Sequence, residues 1–417
     1  MKMFTCSRVP QLHFGEGALN SASAVLRSLN AERVGIVTGG RSFRESEHWP
    51  ALLSRLREDG IEIQDSAIDH EPDPAFVNEV TDRFRTAGVQ AIMGIGGGSA
   101  IDAGKAISAL ATMEGGIEDY LEGVGTSEPS GHKLPYIAVP TTAGTGSEAT
   151  KNAVISRPGP DGFKKSLRHD SYVPDVAIID PDLSLNSPPS ITAAAGLDAI
   201  TQLLEAYVST GATPFTDALA QSGLRAASRG FLVSLRGSRT LGKVAPGKVA
   251  PGAGGAEIEE YRSARADMAY AAYLSGICLA NAGLGIVHGI AGPMGARYPI
   301  PHGLVCGSLL PSSVQLTIAL LRERMDGVPR ETTERILQRY ANVAGYLGGT
   351  GSEDMQTQCD DLVRILEKFR SEAALEGFRS WGVDESTIAD VAGASSGKSH
   401  PVPISQEDIY RLIAARL

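Results

Sequence analysis

The feature that most restricts how this chain can fold is a change of texture at "IDPDLSLNSPPS" (179–190). Ahead of it, short aliphatic and β-branched runs alternate with helical patterns. "RVGIVT" (33–38), "IEIQDSAI" (61–68), "AIMGIG" (91–96), "YIAVP" (136–140), "NAVIS" (152–156) and "DVAIID" (175–180) read as strands. Helical patterns near 43–59 and 75–88 separate the first three, each long enough for a crossover. Strands joined in that way form a largely parallel sheet covered on both faces. Behind the change, Pro188 and Pro189 stop extended structure and suit a helix start. "ITAAAGLDAITQLLEAYVS", "DALAQSGLRAASRGFLVSL" and "YRSARADMAYAAYLSGICLANA" then carry only helical pattern. A chain of 417 residues also exceeds one ordinary core. The expectation is an α/β domain with a Rossmann-like parallel sheet over 1–187, followed by an all-α domain over 188–417.

Composition narrows the partners. With 42% hydrophobic and 21% charged residues the chain reads as soluble and globular. No stretch reaches the roughly 18 consecutive apolar residues of a membrane span. "MKMFTCSRVPQLHFG" lacks the apolar run and small-residue cleavage site of a secretion signal. The expected location is therefore the cytoplasm, without membrane contact. A net charge of −10 argues against nucleic acid, whose phosphates need a basic face. Cys6, Cys278, Cys306 and Cys359 form no CxxC pair and read as reduced thiols. The tandem repeat in "GKVAPGKVAPGAGGA" (242–256) reads as a flexible insertion without chemistry. His400, in a polar loop before a proline, is expected to face solvent.

Two loops carry chemistry. "AIMGIGGGSAIDAGKAISAL" (91–110) runs strand, glycine turn, helix, on the third of the expected strands. Gly96, Gly97 and Gly98 let the backbone approach a ligand, and the free N–H groups of the helix start suit a pyrophosphate. Such turns also arise for purely steric reasons. "VPTTAGTGSEATKNAVI" (139–155) offers hydroxyls and two flexible glycines, as a second cradle or as a polar surface loop. Together the two loops favour a dinucleotide.

The stretch "IVHGIAGPMGARYPIPHG" (286–303) places His288 and His302 at either end of a glycine- and proline-rich bend. Pro293, Pro299 and Pro301 forbid one helix across it, so His288 is expected to end one helix and His302 to begin the next. In "GLDAITQLLEAYVS", Asp198 and Gln202 lie one helical turn apart on one face. A carboxylate with two imidazoles is a common divalent-cation set. Hydrogen-bonded core histidines and a helix-dipole partner at Asp198 are the alternative, and the residues alone leave both open.

"GGGSAIDAGKA", "PTTAGTGSEAT", "GLDAITQLLEAYVS" and "PIPHG", in this order and spacing, resemble the iron-containing (group III, metal-dependent) alcohol dehydrogenases. The resemblance runs from "FGEGAL" (14–19) to beyond residue 310, and implies a dehydroquinate-synthase-like fold. It implies NAD(P)(H) in the cleft between the domains. By motif position Gly97, Gly98, Ser99 and Asp102 serve the pyrophosphate turn, and Thr141, Thr142, Thr150, Asn152, Lys164 and Leu183 line the rest. "EPDP" fits with Asp73 where the family usually has Asn. NAD users of the family usually carry an acid after the first strand. Here Gly39 stands there with Arg41 two residues on, which leans the expectation to NADP(H). The metal positions fall on Asp198, His288 and His302, with Gln202 where the family has a fourth histidine and Gly292 where it often has a second polar histidine.

The implied reaction is reversible alcohol–aldehyde or ketone oxidoreduction. Fe2+ or Zn2+ on Asp198, Gln202, His288 and His302 would polarise the substrate oxygen, Asp198 and His302 being the catalytic residues and water, the cofactor ribose or His302 moving the proton. A small alcohol or aldehyde is the expected substrate. Lys151 and Arg297 are read as surface charges rather than as selectors of an anionic tail. A homo-oligomer, dimer or larger, is expected by the same resemblance. A metal-independent, maleylacetate-reductase-like enzyme and a non-catalytic nucleotide-binding paralogue are the alternatives, and dehydroquinate-synthase-like lyases lack a matching ligand pattern here.

Overall fold

A computed structural model of the chain describes residues 3–157, 162–241, 255–323 and 329–417. The strands are β1 (Gln11–Phe14), β2 (Arg33–Gly39), β3 (Glu62–Ile68), β4 (Ala91–Gly96), β5 (Tyr136–Pro140), β6 (Asn152–Arg157), β7 (Phe163–Arg168) and β8 (Val176–Ile179). Six of them form one parallel sheet in the order β1-β8-β5-β4-β2-β3. The central β4 and β5 are buried throughout, as both-faced burial demands of an unbroken apolar run.

Alternation along each strand divides the core. Ile36, Met93 and Val139 face α1 (Ala22–Ser28) and α2 (His48–Glu58), through Leu26, Leu52 and Leu56. Their neighbours Val37, Ile92 and Ala138 face α3 (Pro74–Thr86) and α4 (Gly98–Leu110), through Val80, Phe84 and Ile107. Each strand thus presents one apolar set to each helical layer.

Two strands escaped the sequence reading. β1 is a four-residue edge strand with a mostly exposed, weakly patterned face. β7 carries Lys164, Lys165 and Arg168 among its six residues, which mask its alternation. Because β1 precedes it, the glycine turn follows the fourth strand rather than the third. β6 is a strand as expected, but it pairs antiparallel with β7 in a separate two-stranded sheet. Its backbone is satisfied outside the main sheet, since Val154 N donates to the Asp102 carboxylate at 3.0 Å and Ser156 N to Pro72 O at 2.8 Å.

From Pro189 onward the described residues are helical: α5 (Pro189–Val208), α6 (Pro214–Thr240), α7 (Gly255–Ala282), α8 (Ile286–Arg297), α9 (His302–Arg322), α10 (Arg330–Tyr346), α11 (Met355–Ala373), α12 (Glu385–Ala394) and α13 (Gln406–Ala414). Most of the tandem repeat at 242–256 lies outside the described residues. α9 has the length and apolar content of a membrane span, yet 72% of its apolar window is buried in protein, the pattern of a core helix. α5 packs at the centre, against α6, α7 and α9. Gly303 allows α9 to start hard against α5, for a Cβ there would lie 2.3 Å from Ala194 O.

The bend between the histidines differs from expectation. His288 lies in the first turn of α8 instead of ending a helix, and Pro293 sits inside that helix. Pro293 costs α8 one N–H donor and crowds the carbonyl of Gly289, but the helix runs on to Arg297 before Pro299 and Pro301 break the path. His302 then opens α9. Both imidazoles therefore stand at helix starts that converge on α5.

Candidate active site

A cleft of about 400 Å³ separates the carboxyl ends of the sheet strands from α5, α8 and α9. Its sheet-side wall carries Gly97, Gly98, Ser99, Asp102, Thr142, Thr150, Asn152 and Lys164, and its helical wall Asp198, Gln202, His288 and His302. Twelve of the residues singled out from sequence thus converge on one space.

The sheet-side wall is built around the glycine turn. Gly96 has φ +157°, and a Cβ on it would meet Ala100 Cβ at 2.7 Å and Gly39 N at 3.0 Å, so no side chain fits. Gly97 is the N-cap of α4 and brings no side-chain cap. The first N–H groups of that helix are left to a ligand, with the positive dipole end behind them. Lys105, which the sequence reading passed over, locks the second loop to this helix. Its buried ammonium donates to Ser147 O at 2.8 Å, Asn152 O at 2.7 Å, Ser147 Oγ at 3.0 Å and Thr150 Oγ1 at 3.1 Å. Burial lowers its pKa to about 8, against the pull of Asp102 and Glu148. Asp102 accepts from Ser147 Oγ and Val154 N, so its carboxylate organises the cradle from behind.

Four expected cofactor residues stand outside the cleft wall. Asp73 caps α3 by accepting from Phe76 N at 2.8 Å, while its neighbours Glu71 and Pro72 line the cleft. Thr141 is buried beside it, its N–H donating to Gly96 O at 2.9 Å. Leu183 packs against the core of the α1 and α2 layer. Gly39 ends β2 alongside Gly96, and a Cβ on it would touch nothing within 4 Å.

On the helical wall, α5 carries Asp198, Gln202 and Glu205 at i, i+4 and i+7 in a buried, mostly apolar run. Asp198 Oδ1 is buried without a hydrogen-bond partner and lies 3.3 Å from His288 Nε2 and 3.8 Å from His302 Nε2. Cys306, one turn after His302, sets its Sγ 3.7 Å from His288 Nε2 and 3.6 Å from His302 Nε2. The donor atoms of these four residues all lie within 4.8 Å of one another. A buried carboxylate oxygen with no donor is costly unless a cation meets it. Carboxylate, imidazole and thiol are ordinary donors to Fe2+ or Zn2+. The residues fit a divalent metal. Gln202 lines the cleft, but its Oε1 accepts from Ser275 Oγ at 2.7 Å.

Glu205, also passed over, orients His288. Its carboxylate takes His288 Nδ1–H at 2.7 Å and Val287 N–H at 2.8 Å. It thereby caps α8, whose own N-cap is Gly285, and it fixes the His288 ring with Nε2 toward Asp198. His400 completes this layer and corrects the expectation of solvent exposure: it is buried, accepts weakly from Ile286 N and pairs with Thr317 Oγ1 at 3.1 Å. Burial lowers the His400 pKa to about 4, despite Glu205. Burial likewise takes His302 down to about 4 against the attraction of Asp198, which leaves its imidazole neutral and ready to ligate. Burial pushes the Cys306 thiol up to about 12. The spacings that betray these residues are local: Glu205 is two helical turns beyond Asp198, and Cys306 is one beyond His302.

Lys151 and Arg297 pair with Asp170 and Asp390 and take no part in the cleft. Asn152 faces the cleft while its neighbour Lys151 does not.

What the cleft can do follows from its two walls. One offers amide N–H groups to a phosphate chain and the other offers donors to a cation, so a molecule held between them would meet a bound dinucleotide and a Lewis acid together. That is the arrangement of a metal-assisted nicotinamide dehydrogenase. Comparison with known proteins supplies the family. The model of iron-containing alcohol dehydrogenases matches residues 10–181, and that of the C-terminal region of Fe-containing alcohol dehydrogenases matches 256–417. Long-chain-alcohol dehydrogenase 1 of Geobacillus thermodenitrificans is 31% identical over 97% of this chain and 95% of its own. The NAD-dependent methanol dehydrogenase of Bacillus methanolicus is 31% identical over 97% of each. The crystal structure of a 1,3-propanediol oxidoreductase aligns over 100% of both chains with a TM-score of 0.82 at 27% identity. The chain belongs to the iron-containing alcohol dehydrogenase family. It is an NAD(P)-dependent oxidoreductase that interconverts an alcohol and an aldehyde or ketone with the help of a divalent metal.

Proposed function

We propose that Asp198, His288 and His302 hold the metal and that the cleft between sheet and helices takes the dinucleotide, with Gly97, Gly98 and Ser99 at its pyrophosphate. The observation that carries this reading is the buried, partnerless Asp198 oxygen facing two imidazoles across from an uncapped helix start. When bound, the metal supplies Lewis-acid polarisation of the substrate oxygen and the nicotinamide supplies or accepts the hydride. Asp198 and His288 are buried and fixed, His288 by Glu205. The His302 side chain is 32% exposed against 11% for His288, so it borders the substrate side of the cleft, where it positions the water that carries the proton. Gly292 has no side chain for that step. We take the two domains to meet at 187/188, the dinucleotide cradle belonging to the first and the metal donors to the second.

The substrate we propose is an uncharged aliphatic alcohol or aldehyde. Ile191, Ala194, Ala195 and Leu279 line the cleft, and its lysine, Lys164, is already paired with Glu71. For the cofactor we propose NADP(H), supported by the open space at Gly39 and by Arg41 nearby. Asp69, beside Gly40, and the NAD dependence of the methanol dehydrogenase relative weigh the other way. Fe2+ or Zn2+ suits the donor chemistry. A homo-oligomer is supported by edge strand β1, which leaves Leu12 and Phe14 exposed. The free cysteines agree with a reducing cytoplasm.

One assay series tests these assignments. Purified enzyme is followed by NADPH and NADH oxidation against straight-chain aldehydes and ω-carboxy aldehydes of equal length, before and after chelation. The expected result is faster turnover with NADPH and with the uncharged aldehydes, lost on chelation and restored by Fe2+ or Zn2+. Full turnover after exhaustive chelation would instead favour the metal-independent reading.

A further inference from the structure

We infer that Cys306 is the fourth metal ligand of this chain, in place of the histidine that stands at the Gln202 position in relatives. The inference rests on the reading that the site holds a divalent cation. It is carried by three independent observations.

The first is distance. Four-coordinate bonds of about 2.0–2.1 Å to nitrogen or oxygen and about 2.3 Å to sulfur place neighbouring donors roughly 3.3–3.6 Å apart. The cluster shows 3.3 Å and 3.8 Å from Asp198 Oδ1 to the two imidazole nitrogens, and 3.6 Å and 3.7 Å from Cys306 Sγ to the same two atoms. Without a cation the sulfur can donate its proton to one imidazole and accept from the other; a cation that replaces those protons finds both nitrogens and the sulfur already at bonding separation.

The second is the state of the competitor. Gln202 Oε1 already accepts from buried Ser275 Oγ at 2.7 Å, and an amide oxygen is a weaker ligand than a thiolate for a borderline metal. The third is position. Cys306 is fully buried and does not line the cleft, whereas Gln202 and His302 do. A ligand on the buried side closes the site from within the protein and leaves the cleft side to the substrate oxygen.

Binding in this mode forms a metal–sulfur bond and releases the thiol proton to solvent, with no change of oxidation state. Asp198 and Cys306 then supply two negative charges to the dication, where one acid and three histidines would supply a single one. The softer set favours Zn2+, Co2+ or Fe2+ over Mg2+ and Mn2+.

The test is spectroscopic. The full-length apoprotein is reconstituted with Co2+ for electronic absorption and with Zn2+ for X-ray absorption, and bound metal is counted by mass spectrometry. The wild type and Gln202→Ala are expected to show a sulfur-to-cobalt charge-transfer band and a zinc–sulfur shell at about 2.3 Å. Cys306→Ser, checked for native circular dichroism, is expected to lose both and to bind metal about tenfold or more weakly. Because Cys6, Cys278 and Cys359 persist in that variant, loss of the band assigns the sulfur. A protein that binds one metal ion through nitrogen and oxygen alone overturns the role of Cys306 and leaves the metal-dependent reading standing. A protein that binds no divalent ion overturns both.

Discussion

Glu148 shows how one buried group can tie stability to pH. It sits within the second glycine-bearing loop (139–155), near Lys105, and is 2% exposed. Burial raises its pKa from 4.5 to about 7, against the opposing influence of Lys105. The folded chain therefore holds a proton on Glu148 up to near neutrality, while the unfolded chain gives it up near 4.5. Its contribution is complete below that lower value and is lost as pH rises through about 7. The span corresponds to about 3 kcal/mol at most. Glu148→Gln keeps the shape and removes the ionisation. Its Tm is expected to match the wild type near pH 4.5 and to exceed it by roughly a few degrees at pH 8. Thermal melts across that range check the sign, and a constant difference between the two proteins would refute it. Lys105, lowered to about 8, works in the opposite direction: its cost of charging appears as pH falls through 8.

Three helices bring Asp198, His288 and His302 together, and their mutual approach sets the size of the proposed metal site. α5 contributes Asp198 from its middle, whereas α8 and α9 contribute His288 and His302 from their first turns. The α8 start is held by Glu205 and His400, which take its free N–H groups. The α9 start is held by contact, since Gly303 has no Cβ to separate it from Ala194 O and the Asp198 Cβ. Gly303→Ala should push the two helices apart, cost about 1–3 kcal/mol in urea denaturation and lower the metal bound per chain. A variant with wild-type stability and full metal content would show that the close contact is dispensable.

The two walls of the cleft come from different parts of the chain, with the cradle built on strands β4 to β7 and the metal donors on α5, α8 and α9. Separate construction implies separable binding. Removing the metal should abolish turnover yet leave NADPH affinity within about twofold, as expected for sites without shared partners. Fluorescence titration of the chelated enzyme measures this. Loss of dinucleotide binding on chelation would mean that the metal also holds the cofactor or the halves in register.

Much of this was legible without coordinates. Six of the strands, the helical second half and the glycine turn follow from periodicity and local backbone chemistry, which a short window of sequence records in full. Asp198, His288 and His302 emerged because a bend and a helical turn bring them into a recognisable pattern, and the family motifs reinforced it. β1 and β7 were lost because an edge strand and a lysine-rich strand carry little periodic signal. Burial was the harder quantity. His400 looked like a loop residue, yet it packs beneath α8 more than 100 positions away in the chain. The roles of Glu205, Lys105 and Cys306 likewise depend on what each side chain touches across the fold. Sequence periodicity determines which segments are strands and helices. Which polar groups are forced together away from water, and so must find a cofactor, a cation or each other, is settled only when those segments pack.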